Sequence, residues 1–319
     1  MGRATRMPQW DALSPEAQAI VDAAARRGIP TSRIAGDPDL VLLGDGHPQR
    51  LLGLASGRTS HNAIHVAADP LLANALLHAA GLPVPEAELV ATVDQALATA
   101  RAMGMNVVMK PLDAGPGRSP ILRTPGAVRA AFEALRRLRT RILMEPFVEG
   151  DRNRVVIVAG RMLCATKRSA PSVTGNGQHA IRALVAADPG LAVIAFDEAT
   201  AALLARQGLS ADAVAPAGVT VALGESTDPA RGGRAEDITA RVHPAVVQAC
   251  ERAAAVIGLD VCAIDVACRD IGRALEPQGG AIVGVSAEPR LGGAQLREAA
   301  ERVVRSLVPA APWSAAALG

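Results

Sequence analysis

The sequence predicts an α/β fold. Alanine-rich segments with helical spacing alternate with short runs of Val, Ile and Leu, the order in which helices and strands follow one another in layered α/β domains. Size agrees: 319 residues, 50% of them apolar, exceed the needs of one small core, so two or three lobes of roughly 100 to 150 residues each are expected.

The first helix is SPEAQAIVDAAARR (14–27), where Ser14 can cap, Pro15 suits the first turn and Gly28 stops the helix. LVLLG (40–44) reads as a buried strand. DPLLANALLHAA (69–80) repeats the capped pattern and stops at Gly81, and the proline-containing LPVPE after it marks a lobe boundary. A helix over 94–103, a strand over 105–110, a Gly/Pro-rich loop over 113–120, a helix over 125–138 and a strand over 141–147 then make a small α/β lobe. VVIVAG and RMLCATKR, meeting at Ala159-Gly160, predict a hairpin. A helix over 244–257 and strands over 260–267 and 281–287 complete a larger lobe, while 185–240 shows no clear pattern. The expected division is an N-terminal subdomain (1–80), a small lobe (81–150) and a large lobe (151–319).

Composition narrows the partners. Lys plus Arg number 33 against 31 Asp plus Glu, a formal net charge of +2, which gives no strong field for nucleic acid or an anionic membrane. Aromatic residues are 2% and Tyr is absent, so a platform for stacking bases is hard to build. A small-molecule substrate is the better expectation. No apolar run approaches the roughly 20 residues that cross a bilayer, and the N-terminus lacks the apolar core of a secretory signal; a cytoplasmic protein is expected. Cys164, Cys250, Cys262 and Cys268 lie in apolar stretches without zinc-ribbon or redox spacing, and read as reduced core residues.

Several residues suit nucleotide chemistry. Lys110 ends an apolar strand and precedes a loop whose Gly115 and Gly117 amides could face phosphate, although DAGPGRSP lacks the Walker ending. The same lysine would otherwise be a solvated residue before a turn. Glu145 and Glu149 bracket EPFVE, where a hinge between lobes would lie; they are either acceptors for adenine or ribose, or surface carboxylates. Asp265 sits inside the apolar strand VCAIDVAC, where an unpaired charge would be costly. Either a metal ion, with magnesium suiting the oxygen chemistry, or a structural ion pair must compensate it. Lys167-Arg168 precedes the Gly-rich turn SVTGNGQH with His179 and could bind phosphate or a substrate carboxylate, or be a solvated strand end. His61 and His65 share the spacing of half a zinc site without a partnering carboxylate motif. RRLRTR (136–141) reads as cations at a helix end.

Taken in order, VLLGDGHPQR, MKPLDAGPGR, LMEPFVEG, GRM, KRSAPSVTGNGQHAI, DITARVHP, AAAVIGLDVCAIDV and GGAIVGVSAEPRL resemble the ATP-grasp portion of cyanophycin synthetase and the related glutathione-synthesising ligases. The resemblance runs from about residue 20 to 310 and implies the ATP-grasp fold, two α/β lobes clamping ATP. It further implies transfer of the γ-phosphoryl group to a substrate carboxylate and attack by an amine, forming an amide or peptide bond on amino-acid or small-peptide substrates. By position Lys110, Gly115 and Gly117 would hold phosphates, Glu145 and Glu149 adenine and ribose, and Arg154 and Arg168 phosphates or substrate. Asp265 would bind magnesium with Ser286 and Glu288 as substitutes for absent ligands.

Those substitutes are needed because the family pattern has a glutamate and an asparagine where this chain has Gly284 and Ser286. A lysine expected near Pro70 or Asn74 is missing, an acid expected after FVEG is Arg152, and Ala114, Pro116, Ser119 and Pro120 alter the glycine loop. The alternative implied by these departures is a catalytically impaired descendant that binds nucleotide or peptide. Such a protein could act as a partner subunit to a competent ligase, and a homo-oligomer is equally compatible. The cyanophycin enzymes carry a further Mur-ligase-like domain, and this chain ends where it would begin, so cyanophycin is not the expected product.

Overall fold

The computed structural model describes residues 13–33, 37, 39–44, 49–112, 121–138, 141–224, 226–227 and 231–308. The glycine loop over 113–120, with Gly115 and Gly117, lies outside them. Helix α1 (Pro15–Arg26) begins where Ser14 Oγ accepts from the Ala17 amide at 3.2 Å. Strands β1 (Thr31–Arg33), β2 (Leu40–Leu43), β3 (Gln49–Leu52) and β4 (Ala55–Ser56) follow as an antiparallel meander. Helix α2 (His61–Ala68) then meets α3 (Pro70–Ala79), which is capped by the Asp69 carboxylate on two amides.

Next comes a small lobe of β5 (Glu88–Val90), α4 (Val93–Ala102), β6 (Val107–Pro111), α5 (Pro125–Arg136) and β7 (Ile142–Pro146), with strand order β5-β7-β6. Its core is its own: Val107, Met109 and Met144 from one sheet face pack against Ala96, Ala100, Val128 and Phe132 of the helices. The expected elements of this lobe lie within two residues of the observed bounds.

Strand β8 (Asp151–Val158) turns directly into β9 (Arg161–Ser169). Ala159 and Gly160 have φ of 52° and 75°, the doubly positive pair that a two-residue hairpin turn requires. Much of the region 185–240 joins the residues just before it in a satellite unit: β10 (Ser172–Thr174), α6 (Ile181–Ala186), α7 (Glu198–Arg206) and β11 (Thr220–Ala222) surround a core of Val173, Ile181, Leu191, Leu204 and Leu223. Strand β12 (Arg234–Asp237), helix α8 (Pro244–Ile257), β13 (Val261–Cys268), β14 (Ala281–Ser286) and α9 (Gly293–Leu307) complete the chain, and the main sheet has the order β12-β9-β8-β13-β14, antiparallel throughout.

Strand alternation assigns that sheet two faces. Val155, Ile157, Cys262, Ile264, Val266 and Cys268 point into a core closed by α2, α3 and α8. Val156, Val158, Cys164 and Val261 point the other way, into a core closed by α1, the meander and α9. Residues before 80 are therefore divided between the two faces of the large sheet. Among the described residues, the second core covers only the half of its face distant from β7. The other half is where the polar residues of β8, β9 and β13 emerge.

Candidate active site

In the small lobe, alternation sets Lys110 and Glu145 on the sheet face opposite its core, with Lys110 across from Leu143 and Val108 across from Glu145. Lys110 Nζ lies 2.8 Å from Glu145 Oε2. The Glu145 side chain is only 6% exposed, so its charge depends on this partner. Asn74 of α3 donates to the Pro85 carbonyl at 3.3 Å and reaches Glu145 Oε1 at 3.5 Å. Two positions singled out in the sequence thus form one cluster, joined by a residue noted there only as the site of a missing lysine.

The hinge Phe147–Gly150 carries β7 into β8. The Phe147 amide donates to the Asn106 carbonyl at 2.7 Å, tying the hinge to the small lobe. At its far end Gly150 has φ +115°, and a Cβ there would lie 2.2 Å from the Cys268 carbonyl carbon and oxygen. Only glycine lets the hinge pass this close to β13. Glu149 pairs with Arg269 at 2.6 Å, both well exposed. A cavity of about 470 Å³ opens beside the hinge, lined by Pro85, Asn106, Phe147, Val148, Glu149 and Gln278 among others. Of the predicted site residues among those described, only Glu149 lines it.

On the large sheet, register aligns Asp265 with Arg154 and Arg152 with Arg168, and directly opposed residues share a face. Arg152, Arg154, Arg168 and Asp265 consequently stand on the half-face left open by the second core. Arg154 Nε and one terminal nitrogen each donate to Asp265 at 2.7 Å, a two-pronged pair. The Arg152 guanidinium lies 5.7 Å from the Phe147 ring centroid, linking this face to the hinge. Lys167 points to the other face and pairs with Asp151 at 2.6 Å.

Magnesium is the metal the resemblance implies, and the donors among the described residues do not fit it. Both Asp265 oxygens accept from Arg154. Gly284, directly across from Asp265, has no side chain to offer. Ser286 Oγ donates to the Glu288 carbonyl at 3.3 Å, and Glu288 is an exposed residue beyond the end of β14. A magnesium ion requires near-octahedral oxygen coordination, and no group of three His, Cys, Asp or Glu side chains suited to a metal occurs among the described residues. The ion-pair alternative for Asp265 is the arrangement observed. His61 and His65 stand on α2, both exposed.

The four cysteines are buried and unpaired. Burial pushes the thiols of Cys164 and Cys268 up to about 11 and that of Cys262 up to about 12, and raises Cys250 further. They are core residues rather than nucleophiles. Arg141 lies 3.6 Å from Asp69, so one cation of the 136–141 cluster serves the start of α3. Arg269 had no signal in the sequence: it follows β13 without a motif, and only the fold brings it to Glu149. No helix among the described residues is long and apolar enough to cross a membrane.

No family model matches the chain. Cyanophycin synthetase of Geminocystis herdmanii is 32% identical over 295 residues, which cover 87% of this chain and 34% of that protein. The glutathione biosynthesis bifunctional protein of Streptococcus thermophilus is 28% identical over 211 residues, covering 61% of this chain and 28% of that protein. Among solved structures, a bifunctional glutathione synthetase from Pasteurella multocida superposes with a TM-score of 0.67 at 19% identity, over 92% of this chain and 43% of that one. The chain spans about a third of the length of the curated relatives it matches. With the two-lobed sheet architecture and the hinge between the lobes, these likenesses show the ATP-grasp fold, in a chain similar over most of its length to one third of cyanophycin synthetase.

Proposed function

We propose that this chain binds ATP at the hinge between its lobes and forms an amide or peptide bond between a carboxylate and an amine, on amino-acid or small-peptide substrates. The observation that carries the reading is the placement of Lys110 and Glu145 before the hinge and Arg154 and Arg168 after it, in a chain whose relatives are ligases of this kind. In the reaction, a carboxylate oxygen attacks the γ-phosphorus, the bond to the β,γ-bridging oxygen breaks and ADP leaves. The amine then attacks the acyl carbon, loses its proton and expels phosphate.

The residues supply position and charge, which is most of what phosphoryl transfer asks of a protein. Lys110 turns its ammonium from Glu145 toward phosphate, an exchange that a flexible lysine can make. Glu145 and Glu149 take adenine and ribose donors. Arg154 and Arg168 neutralise phosphate or substrate oxygens. The division into an N-terminal part, a small lobe over 81–150 and a large lobe over 151–319 belongs to the same proposal, as does cytoplasmic location.

Gly284 favours a second reading, a nucleotide- or peptide-binding descendant without turnover that serves a partner ligase. Incubation with ATP, magnesium and pooled amino acids decides between them by ADP release and mass spectrometry of products. The ligase reading expects ADP and a condensed product in equal amounts; ATP binding without ADP release under any acceptor supports the second.

A further inference from the structure

The cavity beside the hinge is lined by one amide side chain, Asn106, whose oxygen the fold leaves unpaired, and its role rests on the ATP-binding reading above. Asn106 stands just before β6. Its carbonyl accepts from the Phe147 amide at 2.7 Å, so the pairing of β6 with β7 extends one residue past Val107 and Pro146. Alternation then sets Asn106 on the face that carries Val108, Lys110 and Glu145, at its hinge end. The backbone of Asn106 is thus committed to the hinge. Its Oδ1, by contrast, is buried with no hydrogen-bond partner among the described residues.

A buried acceptor without a donor is costly to the fold, and an occupant of the cavity that brings an N–H group removes that cost. Because Oδ1 has no partner to give up, a turn about the last side-chain bond carries it to the cavity. Pro85, Pro146, Phe147 and Val148 line the same cavity and give it apolar walls, which suit a flat heterocycle held by a few polar contacts. Glu145 stands on the same face but is engaged by Lys110 at 2.8 Å and reached by Asn74 at 3.5 Å. An exocyclic amine carries two N–H groups, so Asn106 and Glu145 need not compete for it.

We propose that Asn106 is a specificity-determining residue for the nucleotide: its Oδ1 accepts a hydrogen bond from the exocyclic amine of an adenine seated in the hinge cavity. The chain thereby selects a base that carries an amine at that edge over one that does not, since the latter leaves the buried acceptor unpaired.

The test is calorimetric titration of the whole chain, with magnesium present, using ATP and the triphosphate of purine riboside, which has hydrogen in place of the exocyclic amine. The wild type should bind ATP about tenfold more tightly than the analogue, as expected for one hydrogen bond to an acceptor otherwise buried unpaired. Asn106→Ala should weaken ATP binding about tenfold and leave binding of the analogue within about threefold, so that most of the preference disappears. Asn106→Leu, close in size and without an acceptor, gives the same comparison if the alanine variant does not fold. A wild type that binds the two nucleotides within about threefold, or a preference that falls by less than about threefold on substitution, overturns the role of Asn106 while leaving the ATP reading intact. No binding of ATP overturns the ATP reading and this proposal with it.

Discussion

The two lobes each place one ion pair beside the hinge, and the pairs are built differently. In the small lobe a lysine meets a glutamate whose side chain is 6% exposed, through a single contact of 2.8 Å. In the large lobe an arginine grips an aspartate at two points, and that aspartate keeps 29% exposure. The lysine is a mobile point charge over a carboxylate that cannot hydrate; the arginine is a fixed fork over one that can. Under the proposed ATP reading, the first arrangement is suited to exchange its partner for phosphate, provided that ligand donors replace what Glu145 loses. The second is suited to remain in place and present charge.

Substitutions can break or sharpen this contrast. The largest effect should come from the hinge between the lobes: Gly150→Ala drives a Cβ into the Cys268 backbone at a positive φ and should lower stability by about 3 kcal/mol or more in denaturant titration. Lys110→Met should cost about 3 kcal/mol, because Glu145 is left buried without its cation. Adding Glu145→Leu should recover most of that loss, whereas full additivity of the two substitutions would show that the pair is not coupled. Arg154→Met should cost less, about 2 kcal/mol, since water can reach Asp265; a larger loss than for Lys110→Met would mean that burial does not distinguish the pairs. Glu149→Ala removes an exposed pair with Arg269 and should change stability by less than about 1 kcal/mol. Finally, thiol labelling at neutral pH should leave all four cysteines unmodified in the native protein and reach them after unfolding, since burial holds each thiol protonated.

The same contrast explains what the sequence disclosed. Helix starts were legible because capping is local: Ser14, Asp69 and the Pro-led first turns sit where their chemistry requires. The β8–β9 hairpin was legible because its turn is two residues long. Strand order was not, since the placement of β13 between β8 and β14 depends on contacts across more than a hundred residues. Asp265 could be recognised as needing compensation from its apolar surroundings, yet choosing between metal and arginine required knowing that Arg154 lies directly across from it. Asn74 and Arg269 gave no sign because their partners come from distant segments. The satellite unit between β9 and β12 escaped notice because its helices and strands are short, α6 having six residues and β11 three, too few to show a period.

Both lobes are required by the account, so the most direct test observes both at once. Hydrogen-exchange mass spectrometry with and without saturating ATP should show added protection in 107–111 and 142–150 of the small lobe together with 152–154 and 263–268 of the large lobe. Protection confined to one lobe, or none in either, would contradict a nucleotide clamped between them.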